Sequence, residues 1–509
     1  MSSLTQNDKK IGLLHFWKQG IRSVPELSRL TGLPIRTTRY NVNKETQETF
    51  RNLDAKDLTL WAVSVPIGDG TVQIDLAEVE KRRATNRYLF DIMPTFIILL
   101  TLSQLPSVFH FPLSDVPAPT IIERRNLNTR KIQDADPPSS ASQPKKLRKI
   151  QAGELLLCAR PADCVGPPVH MYNEVFSKFL FDYNDEDLES SARLCRWTIK
   201  FIRSMTDIYG DEDGRETAFQ DFIGKLTNES LTKQSTTDGF GNDGMIECRT
   251  AIGEALIVNI EIKDEVGTGN CDPYIQGIFS YSKYWARDKY DNFRGRSNCP
   301  SFIIAMAGPW ICIAGAVYLK KPVIAPLTDY ISLMETYDTN HKHRIARLFQ
   351  AFSNGINNLK AFYQQNIPAA SSNLEFLYPF PCQYVNGQST VRFSYIEPLK
   401  LDSVKHWKAR NTEGKDIVIK FTQRYNEALC AMKNMAPQLL YVGKEVYGWC
   451  MVVMEYVDGV TLSQANLTRD VYLEVLEKVE ETIKILHENN IVFGDLRPPN
   501  IMVQQNGLR

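Results

Sequence analysis

Through the centre of this chain apolar and polar residues alternate with a period of two, and on either side the apolar period lengthens towards 3.6. The run Ala255-Leu256-Ile257-Val258-Asn259-Ile260-Glu261-Ile262-Lys263 predicts a strand. Glu261 and Lys263 are two positions apart, so they share one face of it. Met245–Arg249 predicts a neighbouring strand, after the turn signal Gly241-Asn242-Asp243-Gly244. Helices are expected over Arg215–Leu226 and around Gln276 and Tyr281. Ser301–Leu319 approaches the length of a membrane span, but Gly308-Pro309 divides it into halves rich in Ile, Val and Ala. Two buried strands joined by a turn are expected there, and no membrane span. Residues 153–335 therefore predict one α/β domain.

Beyond it, residues 336–375 have a helical pattern and are expected to bridge to a last domain over 376–509. That domain starts with strands, including Ile417–Lys420 and Met451–Glu455. A helix is expected over Asn426–Met435 and another over Val471–Asn489, which would expose apolar side chains unless a partner covers it.

The N-terminal third is less regular. In residues 1–48, Ser23 suits the N-cap of a helix to Thr31, Gly32 a turn, and Pro34 the start of a second helix. That second helix would present Arg36, Arg39 and Lys44. In a helix-turn-helix it would enter the major groove of DNA, and the stretch resembles that of mobile-element transposases. A small helical cap with a solvated basic face is the alternative. Residues 49–120 form a separate segment with a strand in Asp57–Pro66. Residues 121–152, rich in Pro, Ser, Lys and Arg, are expected to be a linker. They contain Lys145-Lys146-Leu147-Arg148-Lys149, which suits nuclear import, nucleic-acid contact or plain solvation.

Composition narrows this picture only modestly. A chain of 509 residues suits about three domains. Basic and acidic residues number 59 each, so net charge selects no partner. Ten cysteines without a CxxC pair and seven histidines without ligand spacing argue against structural zinc and a disulfide scaffold. Met1–Gly20 lacks the apolar core and cleavage site of an ordinary signal peptide.

Two constellations carry chemistry. An Asp followed by Glu-x-Lys, here Asp243, Glu261 and Lys263, is the arrangement of restriction-endonuclease-like nucleases. There two acids hold Mg²⁺, and the lysine orients water and stabilises charge on the phosphate. Glu216 would supply a further carboxylate, and Gln276 with Tyr281 resembles the Gln…Tyr element of recombination nucleases. The competing reading is a strand-face ion pair with no catalytic role. The second constellation resembles a protein kinase. Lys420 would hold the α- and β-phosphates of ATP, Glu427 would pair with Lys420, Asp495 would accept the substrate proton and Asn500 would ligate a metal ion. Arg497 stands where kinases usually carry Lys. Departures from the kinase pattern are equally plain. Gly414 is the only glycine in Val391–Lys420, Phe493-Gly494-Asp495 replaces His-Arg-Asp, and the sequence ends at Arg509, ahead of the second metal-binding Asp. Intact kinase activity is therefore not expected of this form.

The order of these pieces resembles the Crinkler effectors of filamentous pathogens and symbionts, over about residues 50–509. Leu58–Pro66 is similar to the end of their ubiquitin-like header, Asp243, Glu261 and Lys263 to their nuclease motif, and Gly494-Asp495-Leu496-Arg497-Pro498-Pro499-Asn500 to their kinase loop. The resemblance implies a secreted effector that acts in a host cell nucleus on DNA, among host nuclear proteins, with Mg²⁺ and ATP as cofactors. Three functions remain open at this point: a metal-dependent nuclease, an ATP-binding Ser/Thr protein kinase, and a non-catalytic protein that binds DNA or a partner.

Overall fold

A computed structural model describes residues 36–41, 59–67, 70–74, 121–235, 241–365, 367, 374–399, 405–425, 437–465, 467–488 and 496–503. The chain divides into two units, Met1–Pro117 and Ala118–Arg509. In the first, strands β1 (Arg36–Asn41), β2 (Thr59–Ile67) and β3 (Gly70–Ile74) form an antiparallel sheet in that order. This corrects the expected second helix of a helix-turn-helix, because Arg36 and Arg39 lie on a strand paired to β2, opposite Ser64 and Trp61. Two threonines and a tyrosine between Arg36 and Asn41 favour extended backbone, and the ladder with β2 supplies its hydrogen bonds. Lys44 and the expected first helix lie outside the described residues.

The second unit opens with helices α1 (Ile121–Gln133), α2 (Pro138–Ala141) and α3 (Pro144–Gln151). The stretch read as a linker is thus folded onto the domain that follows. Ile132, Ala141 and Leu147 join the core, and polar side chains supply further anchors that composition does not reveal. Arg125, 5% exposed, donates to the carbonyls of Arg294, of Ser297 at 3.2 Å and of Tyr318 at 2.8 Å. Asn128 donates to the Lys320 carbonyl at 2.9 Å, and Gln133 to that of Ala286 at 2.7 Å.

Next come α4 (Glu174–Asn184), α5 (Ala192–Thr206) and α6 (Glu212–Thr227), each with an Asn, Ser or Asp N-cap that accepts from the first turn. Strands β4 (Thr232–Ser235), β5 (Gly241–Thr250) and β6 (Gly253–Lys263) follow, then helix α7 (Pro273–Ala286). Strands β7 (Ser301–Ala307) and β8 (Trp310–Tyr318) turn at Gly308-Pro309, as expected, and β9 (Pro322–Pro326) and β10 (Ile331–Ser332) complete a seven-stranded mixed sheet. Its order is β10-β8-β7-β6-β5-β4, with β9 on β8. The β6–β7 pair is parallel, and α7 is the crossover between them. No helix among the described residues is long and apolar enough to cross a membrane.

Helix α8 (Thr339–Gln365) was expected as part of a bridge. It is instead core, since Ile345, Phe349, Phe352, Ile356, Leu359 and Tyr363 form a buried stripe at helical spacing. Its apolar face seats on α4 and α5 and across the sheet, where Trp197 and Phe201 of α5 meet Phe349 ring to ring at 4.9 Å each.

A second, antiparallel sheet combines β11 (Gln383–Asn386), β12 (Ser389–Pro398), β13 (His406–Asn411), β14 (Asp416–Thr422), β15 (Leu439–Val446) and β16 (Trp449–Glu455) in the order β11-β12-β13-β14-β16-β15. Its turn at Tyr447 docks on α4, where the Tyr447 amide donates a hydrogen bond to Ser177 Oγ at 2.9 Å and the Tyr447 ring makes an edge contact with Phe181. Strand β17 (Val460–Thr461), helix α9 (Arg469–Glu488) and strand β18 (Met502–Val503) complete the described elements. Helix α9 buries Val475 and Leu486 but leaves Val471, Tyr472, Leu473, Leu476 and Ile485 exposed, as its sequence suggested.

Close packing of α7 on the sheet yields a first prediction. A methyl group on Gly277 would stand 2.7 Å from Ile303 Cγ2 and 3.4 Å from Glu261 Cγ. Gly277→Ala should destabilise the protein by about 1–3 kcal/mol, because overpacking outweighs the gain in helix propensity. Thermal melting checks this against Gly210→Ala, whose added methyl meets nothing within 4 Å. Equal melting temperatures for the two variants would refute the close approach.

Candidate functional site

Strand β6 is buried over its last nine residues, yet carries Asn259, Glu261 and Lys263. Polar groups on a central strand must find partners, and all three do. Asn259 Oδ1 accepts from Asn242 Nδ2 at 3.1 Å. Glu261, fully buried, accepts from Gln276 Nε2 at 2.5 Å on one oxygen and from Ser280 Oγ at 2.5 Å on the other. Lys263 Nζ donates to Glu212 Oε1 at 2.8 Å and lies 4.0 Å from Asp243 Oδ2. That same Asp243 oxygen accepts from the Ile262 amide at 2.8 Å.

Four expected residues therefore meet. Asp243 lies on β5 rather than on a turn before it, Glu261 and Lys263 on β6, and Gln276 on α7. Glu216 stands beside them on α6. Its oxygens accept from Lys233 at 2.7 Å and from Gln220 at 2.8 Å, and Gln220 also donates to the Asp243 carbonyl at 2.6 Å. Tyr281 does not join. It is fully buried and donates to the Cys299 carbonyl at 2.9 Å. Five residues along a helix turn a side chain roughly 140° away from Gln276, so the two cannot face one site.

Partners of these groups were not anticipated, although helical spacing could have found them. Ser280 follows Gln276 by four residues, and Glu212 precedes Glu216 by four, so each pair shares a helix face. Arg215 had no such signal. Its buried guanidinium holds Asp264 at 3.5 Å and Glu265 at 3.0 Å, the two residues after Lys263, and donates to the carbonyls of Met205 and Asp207. It thus ties the end of β6 to α6.

Electrostatics follow from burial. Desolvation, reinforced by the Asp243 charge, drives the Glu261 carboxyl well above the usual range. Desolvation also raises Asp243 and Glu216, against the Ile262 amide and Lys233 respectively. Burial alone would pull Lys263 down, but its bond to Glu212 and the field of Asp243 lift it overall. The ammonium is therefore charged at neutral pH and cannot serve as a base. A cation would fit against Glu261 and Asp243. Both are hard oxygen donors, and their mutual repulsion, which helps to raise Glu261, would be relieved by positive charge. Among the described residues no three His, Cys, Asp or Glu side chains gather as a ready ligand set.

In the second sheet, Lys420 lies half-buried on β14, opposite His406 and Val452. Asn500 closes a short 3₁₀ turn, Pro498–Asn500, just before β18. Glu427 and Asp495 lie outside the described residues.

No family model matches the chain, and no solved structure matches it significantly. Part of it is similar to bacterial Ser/Thr protein kinases. It is 31% identical over 104 residues to the probable serine/threonine-protein kinase PknB of Lactococcus lactis subsp. lactis, covering 19% of this chain and 16% of that protein. It is 29% identical over 65 residues to the serine/threonine-protein kinase PknA of Corynebacterium glutamicum, covering 12% of this chain and 14% of that protein. The chain thus spans about a sixth of the length of these kinases.

Proposed function

We propose that the central domain is a restriction-endonuclease-like, magnesium-dependent DNA phosphodiesterase within a Crinkler-like effector. The observation that carries this reading is the meeting of Asp243, Glu261 and Lys263 at the ends of adjacent strands, with Gln276 on Glu261. Asp243 and Glu261 would hold Mg²⁺, which commonly binds through one or two carboxylates together with substrate phosphate oxygens. Bound there, the ion would supply a Lewis acid at the phosphate. The chain's own residues do the rest. Gln276 and Ser280 fix the Glu261 carboxylate, and the Ile262 amide fixes Asp243. Lys263, held charged by Glu212, donates to a non-bridging phosphate oxygen as negative charge grows on it. Water adds to phosphorus and gives up a proton to solvent, the bond to the leaving sugar oxygen breaks, and that oxygen departs with a proton from solvent. Magnesium-dependent nicking of plasmid DNA by the full chain, lost on chelation, is the expected result. Its absence in purified, folded protein would end this reading.

The similarity to Ser/Thr kinases favours a second reading for the other sheet, namely nucleotide binding centred on Lys420 and Asn500. A lysine at this place would pair with the α- and β-phosphates of ATP. Lys420→Met should weaken binding of a fluorescent ATP analogue at least tenfold. Equal affinities in variant and parent would rule out Lys420 as the phosphate ligand.

A further inference from the structure

Helix α3 carries four basic residues and no acidic one. Leu147 and Gln151, four apart, face inward. Gln151 locks the helix end by donating to the carbonyls of Leu156 at 3.1 Å and Arg160 at 2.9 Å, and by accepting from the Leu156 amide. Lys145, Arg148 and Lys149, at i, i+3 and i+4, form one exposed stripe on the other side. Their neighbour Lys146 is neutralised by Asp136 at 3.0 Å, whereas none of these three has an ion-pair partner among the described residues. No ion pair or hydrogen bond among the described residues accounts for them. No acidic residue occupies the first turn, so Lys145 even opposes the helix dipole.

The position of this stripe is as informative as its charge. Helix α2, which ends three positions ahead of the start of α3, packs against α7, the helix that carries Gln276. Cys271 contacts Gln276 Oε1 at 3.0 Å, and Gln276 holds Glu261. Lys145 lies four positions after Ala141, the last residue of α2, so the stripe begins within about 14 Å of the α2–α7 packing.

We infer that Lys145, Arg148 and Lys149 form a DNA backbone contact that seats the duplex on the central domain, beside the carboxylate–lysine site. The inference rests on the phosphodiesterase reading for its choice of DNA. Three unpaired cations on a rigid face complement a row of phosphates and give salt-dependent, sequence-independent binding.

The test is anisotropy of a labelled DNA duplex with the full chain, in chelator, over a range of salt. Reversing the stripe (K145E, R148E and K149E together) should raise Kd at least tenfold and reduce the slope of log Kd against log salt by about 2–3. The neutral set K145Q, R148Q and K149Q should fall between, and K145R with K149R should bind as the parent does. Unchanged affinity and slope in both the reversed and neutral sets would overturn the inference. So would duplex RNA that competes as well as DNA, or loss of nuclear accumulation in a fluorescent fusion with DNA affinity intact, which would mark an import signal. Binding here needs no turnover. Loss of binding in a protein that never nicks DNA would sink the phosphodiesterase and keep the contact, while nicking with affinity independent of the stripe would do the reverse.

Discussion

Lys263→Ala is expected to lower magnesium-dependent nicking of plasmid DNA by at least about 100-fold, a loss typical of removing one preorganised donor from a developing oxyanion. Lys263 is the cation nearest to Asp243, and its own contacts keep it charged rather than available as a base. The effect should fall on kcat, since the ammonium meets most charge in the transition state. Stability will fall as well, because Asp243 and Glu212 lose their shared counter-ion in a largely buried place. Melting curves recorded beside the nicking assay separate the two effects, and assays well below the variant's transition isolate the chemistry. Nicking at parental rates by Lys263→Ala would discard the site.

Glu261→Gln should have opposite effects on activity and stability. Activity should drop by a similar factor, because one of the two carboxylates proposed to hold magnesium is gone. Stability without metal at pH 8 should rise by about 1 kcal/mol or more. Gln keeps the shape of Glu, can accept from Gln276 and donate to Ser280, and carries no buried charge. The sign follows from linkage. A carboxyl raised on folding binds its proton more tightly in the native state, so stability declines as pH climbs from the ordinary Glu value of 4.5 towards the raised one. Asp243 and Glu216 are raised too and act in the same direction. Lys263, also raised, loses its contribution only above the ordinary lysine value of 10.5, outside this window. The parent should therefore lose stability between about pH 5 and pH 8 without metal, and regain it with Mg²⁺. Glu261→Gln should show a flatter pH profile and little response to Mg²⁺. A variant less stable than the parent at pH 8 would mean that Glu261 is a structural carboxylate whose charge the fold needs.

Arg215 links these predictions to the fold. It stands next to Glu216 and grips Asp264 and Glu265, so it sets where Lys263 lies relative to α6. A guanidinium buried among carbonyls leaves no residue type free to replace it, because its donors point to four separate groups.

Local periodicity disclosed seven of the eighteen described strands and the helices α6, α7, α8 and α9. The turn at Gly308-Pro309 and the shared face of Glu261 and Lys263 followed from two-residue alternation, and the placement of Gln276 on a helix from its neighbours. Such features depend only on residues a few positions apart. Assembly of the site did not. Glu212 reaches Lys263 across 51 positions of sequence, and Arg215 reaches Asp264 across 49. Segment 121–152 looked like a linker because it is rich in Pro, Ser, Lys and Arg, yet backbone carbonyls of Arg294, Ser297 and Tyr318 capture its Arg125. Helix α8 looked like a bridge until the rings of α5 packed against it, and Arg36 and Arg39 lie on a strand because β2 offers a partner edge. Hydrogen bonds and core contacts between distant segments leave no periodic trace in the chain, so only the folded arrangement could decide which polar residues meet.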